Sequence, residues 1–436
     1  MQSNQSGLEQ YSLFTDIRFL KIAGQAIFLI VAAIMVAVLV SNVFGALAER
    51  NLSPNFTFLE NRAGFSVADS SEFYDPDDSY FRAFQAGLIN TFRVIILGIA
   101  ATTVIGILFG IFLLSTNFLV RTLARIYVEI LRNTPLLVQL YVWFFVIIAS
   151  LPQIRDPINI PSENPLMVMT NRGVYLASII LTPRGFMLSG LLLIGMAIAF
   201  GYWIWSGRVM SETGRDIPRS RNVLILLGAI LIFGGTAAAI LNPVPENVTI
   251  IQDSATINLP LEEALEEDLL TREEEAFYSS RIVTAVPPER RGLRYEAGTT
   301  FTSSYLALLL GLVIYTSAFI AEIVRAGIQA VQKGQIEAAR ALGMPRSKTL
   351  RLVILPQALR IIIPPLGNQY LNLAKNSSLA IAISYTDVFQ VSNTIINQTG
   401  QTVTVFTMVM ATYLAISLVI SFIMNQINSR FQLVSR

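Results

Sequence analysis

The sequence predicts an all-α integral membrane protein of about eight spans, from its composition, its apolar runs and the charge between those runs. Hydrophobic residues fill 53% of the 436 positions and charged residues only 14%, with a mean hydropathy of +0.58. A soluble globular chain carries about 25% charge. The deficit assigns much of the surface to lipid.

The apolar runs come first. A helix crosses the bilayer core with about 20 apolar residues. Such runs cover Ala23–Leu47, Phe84–Leu114, Leu136–Leu151, Gly185–Trp205, Val223–Leu241, Ser303–Val324 and Val403–Met424. A further span lies after Pro356 and contains Pro364 and Pro365. The amino-terminal MQSNQSGLEQYSLFTDIRFLK lacks a signal-peptide n-region, and the apolar run after it is too long for an h-region. That run reads as a retained span.

Charge then sets the orientation. The connection after the second run carries Arg121, Arg125 and Arg132 against Glu129. The one after the fourth carries Arg208, Arg215, Arg219 and Arg221 against Glu212 and Asp216. The one after the sixth carries Arg325, Lys333, Arg340, Arg346, Lys348 and Arg351 against Glu337. Basic connections stay in the cytoplasm. Arg18 and Lys21 place the amino terminus there too. The alternate connections are acidic: residues 48–82 include Glu49, Glu60, Asp69, Glu72, Asp75, Asp77 and Asp78 against Arg50, Arg62 and Arg82, and residues 242–301 include EEALEEDLLTREEE. Both termini are therefore expected in the cytoplasm. The run Glu262–Glu275 has helical spacing, with Leu261, Ala264, Leu265 and Leu269 near one face. It reads as a solvated external helix or as a docking surface.

Composition also excludes chemistry. The chain has no cysteine and no histidine, so disulfides, thiol chemistry, zinc sites of the usual kind and a Ser-His-Asp triad are ruled out. A formal net charge of +2 gives no reason to expect nucleic acid as a partner. None of Lys21, Lys333, Lys348 and Lys375 comes directly after a glycine, so the chain has no P-loop of its own. An enzyme is hard to build without clustered carboxylates in the spans. A transporter or channel working alone would account for the spans and their polar groups.

The decisive motif lies at residues 337–356, EAARALGMPRSKTLRLVILP. It predicts a short amphipathic helix, a turn and a second helical start. Gly343 ends the first helix and Pro345 blocks its continuation. Ala338, Ala339 and Ala341 leave room for another surface to approach. Glu337, Ala338, Ala339, Gly343, Leu355 and Pro356 resemble, in residue and spacing, the EAA motif of ABC importer permeases; Val353 stands where that family usually has Ile. The resemblance implies a coupling helix that inserts into a groove of an ATP-binding subunit.

The flanking text, AEIVRAGIQAVQKGQIEAARALG and LPQALRIIIPPLGNQYLNLAKNSSLA, is similar to the polar amino acid branch of that family, the histidine and glutamine type. So are GLINTFRVIILG and ARIYVEILRNTPLLVQLYVWFF upstream. The resemblance covers residues 84–151 and 302–427 and implies the type I importer fold with five core spans. About three extra spans and acidic external loops are added to it: residues 1–83 hold one, residues 152–301 insert two, and 302–436 resume the core. An even insertion preserves the orientation of every later span. The layout resembles the long Q-type subunit of general L-amino acid permeases, for acidic and neutral substrates. It implies an ATP-binding subunit dimer carrying ATP and Mg, a second related permease subunit and an external amino-acid-binding protein. The expected location is the bacterial inner membrane.

Polar groups inside spans are costly and mark function. Asn368, Gln369, Asn372, Lys375, Asn376, Ser377 and Ser378 gather in and after the span with Pro364 and Pro365, which would free backbone carbonyls. Lys375 suits the carboxylate of an amino acid, and the amides and hydroxyls suit its ammonium. The same groups could instead join two permease subunits. Glu322 with Arg325, and Glu129 with Arg132, read as structural or gating bridges one turn apart.

Overall fold

The computed structural model describes residues 17–49, 55–70, 73–213, 217–252, 255–267, 269–292, 294–296 and 298–431. The sixteen residues before Ile17, and Arg50, Glu72, Arg215, Asp216 and Asp268 of the charge pattern, lie outside them, as do the side chains of Arg18 and Glu49. Every expected apolar run falls in a helix. These are α1 (Ile17–Glu49), α2 (Tyr80–Leu113), α3 (Phe118–Asn133), α4 (Leu136–Tyr141, continued by a π-helical stretch Val142–Ile148), α5 (Pro183–Thr213) and α6 (Arg219–Leu241). After two short helices, α7 (Leu261–Glu266) and α8 (Arg272–Phe277), come α9 (Ser303–Gln329), α10 (Lys333–Ala341), α11 (Arg346–Thr349), α12 (Leu355–Asn376), α13 (Val388–Thr399) and α14 (Thr402–Phe431). Among the described residues six helices are long and apolar enough to cross a membrane, or seven if the bent pair α3 with Leu136–Ile148 is one span. The described apolar stretch of α1, Ala23–Leu39, is shorter.

α9 is the central helix: 61% of its most apolar stretch is buried, against 33% or less in the other spans. It lies along α2, and small residues let the backbones approach. A Cβ on Gly106 would sit 2.5 Å from Ile320 Cγ2, and one on Gly110 2.7 Å from Val324 Cβ. α12 runs the opposite way, with Thr103 and Tyr370 joined through their hydroxyls at 2.7 Å. α14 packs on α12, where Gly367 backs onto Met424. The ends of α2 and α9, and the loop before α12, therefore share one side of the bundle.

The added segments differ from expectation in two ways. Residues 57–70 and 73–79 are packed onto the core: Phe58, Ala63, Val67 and Tyr74 form one cluster with Val388, Val391 and Ile395 of α13 and Val405 and Val409 of α14. The boundary expected at residue 83 falls inside α2. The insertion holds the two helices anticipated, α5 packed on α6, but also strands that the sequence did not predict. Ile158–Ile160, Met167–Thr170, Gly173–Leu176 and Thr299–Thr302 form a four-stranded antiparallel sheet. Its last strand runs straight into α9, so the insertion closes on itself where it leaves and rejoins the core. The acidic run folds as α7 and α8, with Leu261 and Ala264 buried beside Val248 and Leu265 exposed.

Candidate functional site

The loop between α9 and α12 has the architecture its sequence predicts. The N–H of Gly343 donates to Arg340 O at 2.9 Å and that of Met344 to Ala339 O at 3.1 Å. Together these bonds close a Schellman motif. Gly343 has φ 74°, and nothing lies within 4 Å of where its Cβ would be. Glycine is needed there for its backbone and not for space. Pro345 caps α11, and Thr349 turns its hydroxyl back to Pro345 O at 3.3 Å. Leu350–Ile354 then winds as a π-helical stretch into α12, whose first turn holds Pro356. The helical start thus lies about two turns before the expected point at Pro356.

The side chains divide by face. Ala339 is buried and anchors α10, whereas Glu337, Ala338 and Ala341 are exposed. Leu342, which lies between the motif positions, is 81% exposed at the tip, and Leu355 is 43% exposed.

The polar residues of α12 are only partly brought together. Asn368, Asn372 and Lys375 are exposed along one face, on the same stripe as Ile361 and Pro364. Gln369 and Asn376 are half-buried beside it. Ser377 turns inward and donates to Ala374 O at 2.8 Å; Ser378 donates to Lys375 O at 2.8 Å. The helix runs through Pro364 and Pro365 without a break. As expected, the prolines remove the N–H partners of the Arg360 and Ile361 carbonyls. Arg360 did not stand out in the sequence: its Nε is buried without a hydrogen-bond partner among the described residues. Its signal was a lone cation next to an Ile-Ile-Ile-Pro-Pro run.

Of the two expected bridges, one forms. Arg325 grips Glu322 through Nε at 2.9 Å and through a second contact from its NH2 group, and also reaches Gln329. No ion pair joins Glu129 to Arg132 among the described residues. Arg132 lies instead over the Phe319 ring, 5.3 Å from its centre. A helix turn allows both pairings, and the α9 aromatic competes successfully for the guanidinium.

A third cluster was invisible in the sequence. Asn90 of α2 donates to Ala68 O at 2.8 Å and to Thr386 O at 3.0 Å. Thr302, which caps α9, donates to Asp69 Oδ2 at 2.8 Å, and Arg93 donates to Asp69 O. Asp387 caps α13 through Gln390 N at 2.8 Å and accepts from Tyr413 of α14 at 3.3 Å. This junction ties α2, α9, α13, α14 and the 57–79 segment together at the end opposite the 337–356 loop. Burial raises the Asp69 carboxyl above its ordinary range, opposed by its bonds to Thr302. Burial likewise pushes Asp387 up to about 7, although its hydrogen bonds to Gln390 and Tyr413 pull the other way.

Residues 282–433 match the family of binding-protein-dependent transport system inner membrane components. YhdX of Escherichia coli (strain K12), named as an amino-acid ABC transporter permease protein, is 39% identical over 89% of this chain and 88% of its own length. The general L-amino acid transport system permease protein AapQ of Rhizobium johnstonii is 35% identical over 89% of this chain and 86% of its own. The glutamate/glutamine/aspartate/asparagine transport system permease protein BztB of Rhodobacter capsulatus is 34% identical over 99% and 98%. A solved structure, an amino acid ABC transporter with histidines, aligns at 20% identity over 80% of this chain and 95% of that chain, with a TM-score of 0.41.

Proposed function

The chain belongs to the amino-acid ABC transporter permeases, and from that premise we propose that it forms part of the path by which polar L-amino acids, both acidic and neutral, enter a bacterial cell. The substrate range is taken from the names of the AapQ and BztB relatives, which align over most of their length. The chain works with a dimer of ATP-binding subunits, a second related permease and an external amino-acid-binding protein. It needs no cofactor of its own; ATP and Mg belong to the ATPase. Both termini and the 337–356 loop face the cytoplasm.

The observation that carries the coupling role is the exposed tip of α10. Glu337, Ala338 and Leu342 are held outward by the turn at Gly343, on the side that charge assigns to the cytoplasm. Ala338 lets the ATPase approach closely, Leu342 enters an apolar groove, and Glu337 offers a charge for register. Leu355 and Pro356 open α12, the helix that carries the displacement into the bundle. Glu337→Lys is expected to leave the subunit inserted while lowering co-purification of the ATPase and substrate-stimulated ATP hydrolysis. Wild-type values for both would refute the assignment.

The substrate is drawn past the open stripe of α12. Lys375 pairs with its carboxylate, and Asn368 and Asn372 offer carbonyl oxygens to its ammonium. Gln369, Asn376, Ser377 and Ser378 support that stripe from its flank. Losing a hydrogen bond to a charged group costs about 1.5–3 kcal/mol, so Lys375→Ala should raise the KM for uptake roughly ten- to a hundredfold. Normal transport kinetics in an assembled complex would refute this contact and leave the coupling role untouched.

A further inference from the structure

α3 has three faces where an ordinary surface helix has two. On the first, Ala124 and Val128 are buried, Tyr127 stacks on Phe109 at 3.9 Å and its hydroxyl lies 2.7 Å from Ser317 Oγ of α9. On the second, Leu119, Leu123, Ile126 and Ile130 recur at helical spacing and are 48–63% exposed. The third carries Arg121, Arg125, Glu129 and Arg132, a net charge of +2 from three cations and one anion.

The bend between α3 and Leu136–Ile148 is 107°. Leu136–Ile148 is too short to cross the bilayer alone but packs along the spanning α9, so α3, bent away from it, lies close to the membrane plane. Its rotation about its own axis is also fixed. Arg132 reaches over Phe319, and its charge acts on Glu322, one turn nearer the end of α9 that leads into the coupling loop. The arginine face is therefore turned towards that end of the bundle and the leucine and isoleucine face away from it, into the hydrocarbon.

We propose that α3 is an interfacial helix that holds anionic phospholipid: its apolar face enters the acyl region while Arg121 and Arg125 bind the phosphate of the headgroup. Amphipathic helices of this kind sit at the boundary of headgroup and acyl chain. Guanidinium matches phosphate with two parallel N–H donors. Arg125 has no hydrogen bond or ion pair among the described residues, and Arg121 uses one N–H on Ser115 O at 3.2 Å with others to spare.

The chain lacks cysteine, so Ile126→Cys, spin-labelled on the purified subunit before assembly with its partners, reports on one position. In the complete transporter, in phosphatidylcholine–phosphatidylglycerol nanodiscs, the label should be open to oxygen and closed to a water-soluble nickel complex. Shielding from both would mean that a protein neighbour covers the face, and exposure to nickel that it lies in water; either result overturns the proposal. The second measurement is the preference of spin-labelled phosphatidylglycerol over phosphatidylcholine. A basic residue near the surface contributes about 1 kcal/mol, so the site should lose roughly fivefold in preference per arginine in Arg121→Gln/Arg125→Gln. An unchanged preference in that variant would also overturn it.

Discussion

At the scale of single residues, two positions are set by backbone and burial more than by contact. Gly343 is the clearer. Its φ of 74° in open space means that a side chain would meet strain and no clash. A left-handed residue other than glycine costs roughly 1–2 kcal/mol, and asparagine bears it better than alanine. Gly343→Ala should therefore lower substrate-stimulated ATP hydrolysis, and Gly343→Asn should recover part of it. Equal defects in the two would show that the position serves something other than the turn. Asp387 is the second. Its carboxyl, raised by burial to about 7, binds a proton more tightly folded than unfolded. The stabilisation this gives is complete below the ordinary carboxylate range and is lost as the pH climbs to about 7. The melting temperature of the purified protein should fall over that window, and Asp387→Asn should flatten the fall. A parallel slope in the variant would assign the titration to another group.

At the scale of elements, legibility in the sequence depends on how local each cause is. The spans were legible because lipid demands a continuous apolar run, and the coupling turn because Gly343 and Pro345 act on their immediate neighbours. The strands of the insertion were not. They are only three to six residues long, and two pairings, Thr299–Thr302 on Gly173–Leu176 and Val283–Val286 on Ser178–Leu181, bring their partners from far along the chain. The Asp69–Thr302 and Asn90–Thr386 bonds join residues 233 and 296 positions apart, and no spacing rule reaches that far. α3 was read only as a basic connection, since counting charge hides the apolar stripe beside it. The α2–α9 contact falls between these cases: its glycines were visible but their register was not. Gly106→Ala would press a Cβ to 2.5 Å from Ile320. Overpacking of this kind costs about 1–3 kcal/mol. The variant should melt at a lower temperature, and adding Ile320→Ala should return part of the loss. A neutral single variant would mean that the helices can separate at no cost.

At the scale of the whole molecule, the chain between Gly173–Leu176 and Thr299–Thr302 leaves and returns at one strand pair, and Arg290 also reaches back to the carbonyls of Ile154 and Arg155. Leu176 and Thr299 are register partners in adjacent antiparallel strands. Everything between them, including α5 and α6, leaves and returns at that pair. A two-residue Asn-Gly turn suits such partners, so residues 177–298 can be replaced by one. The excised piece takes an even number of spans with it, which keeps α9 and the later helices in their original direction. The shortened chain should insert, bind its ATP-binding subunit and keep a carboxy-terminal fluorescent protein on the cytoplasmic side. Uptake through the intact external binding protein should fall if the insertion helps seat that partner, while ATP hydrolysis by the assembled complex persists. A chain that is degraded, or whose carboxy terminus crosses the membrane, would show that α5 and α6 are not a removable pair and that the span count is wrong.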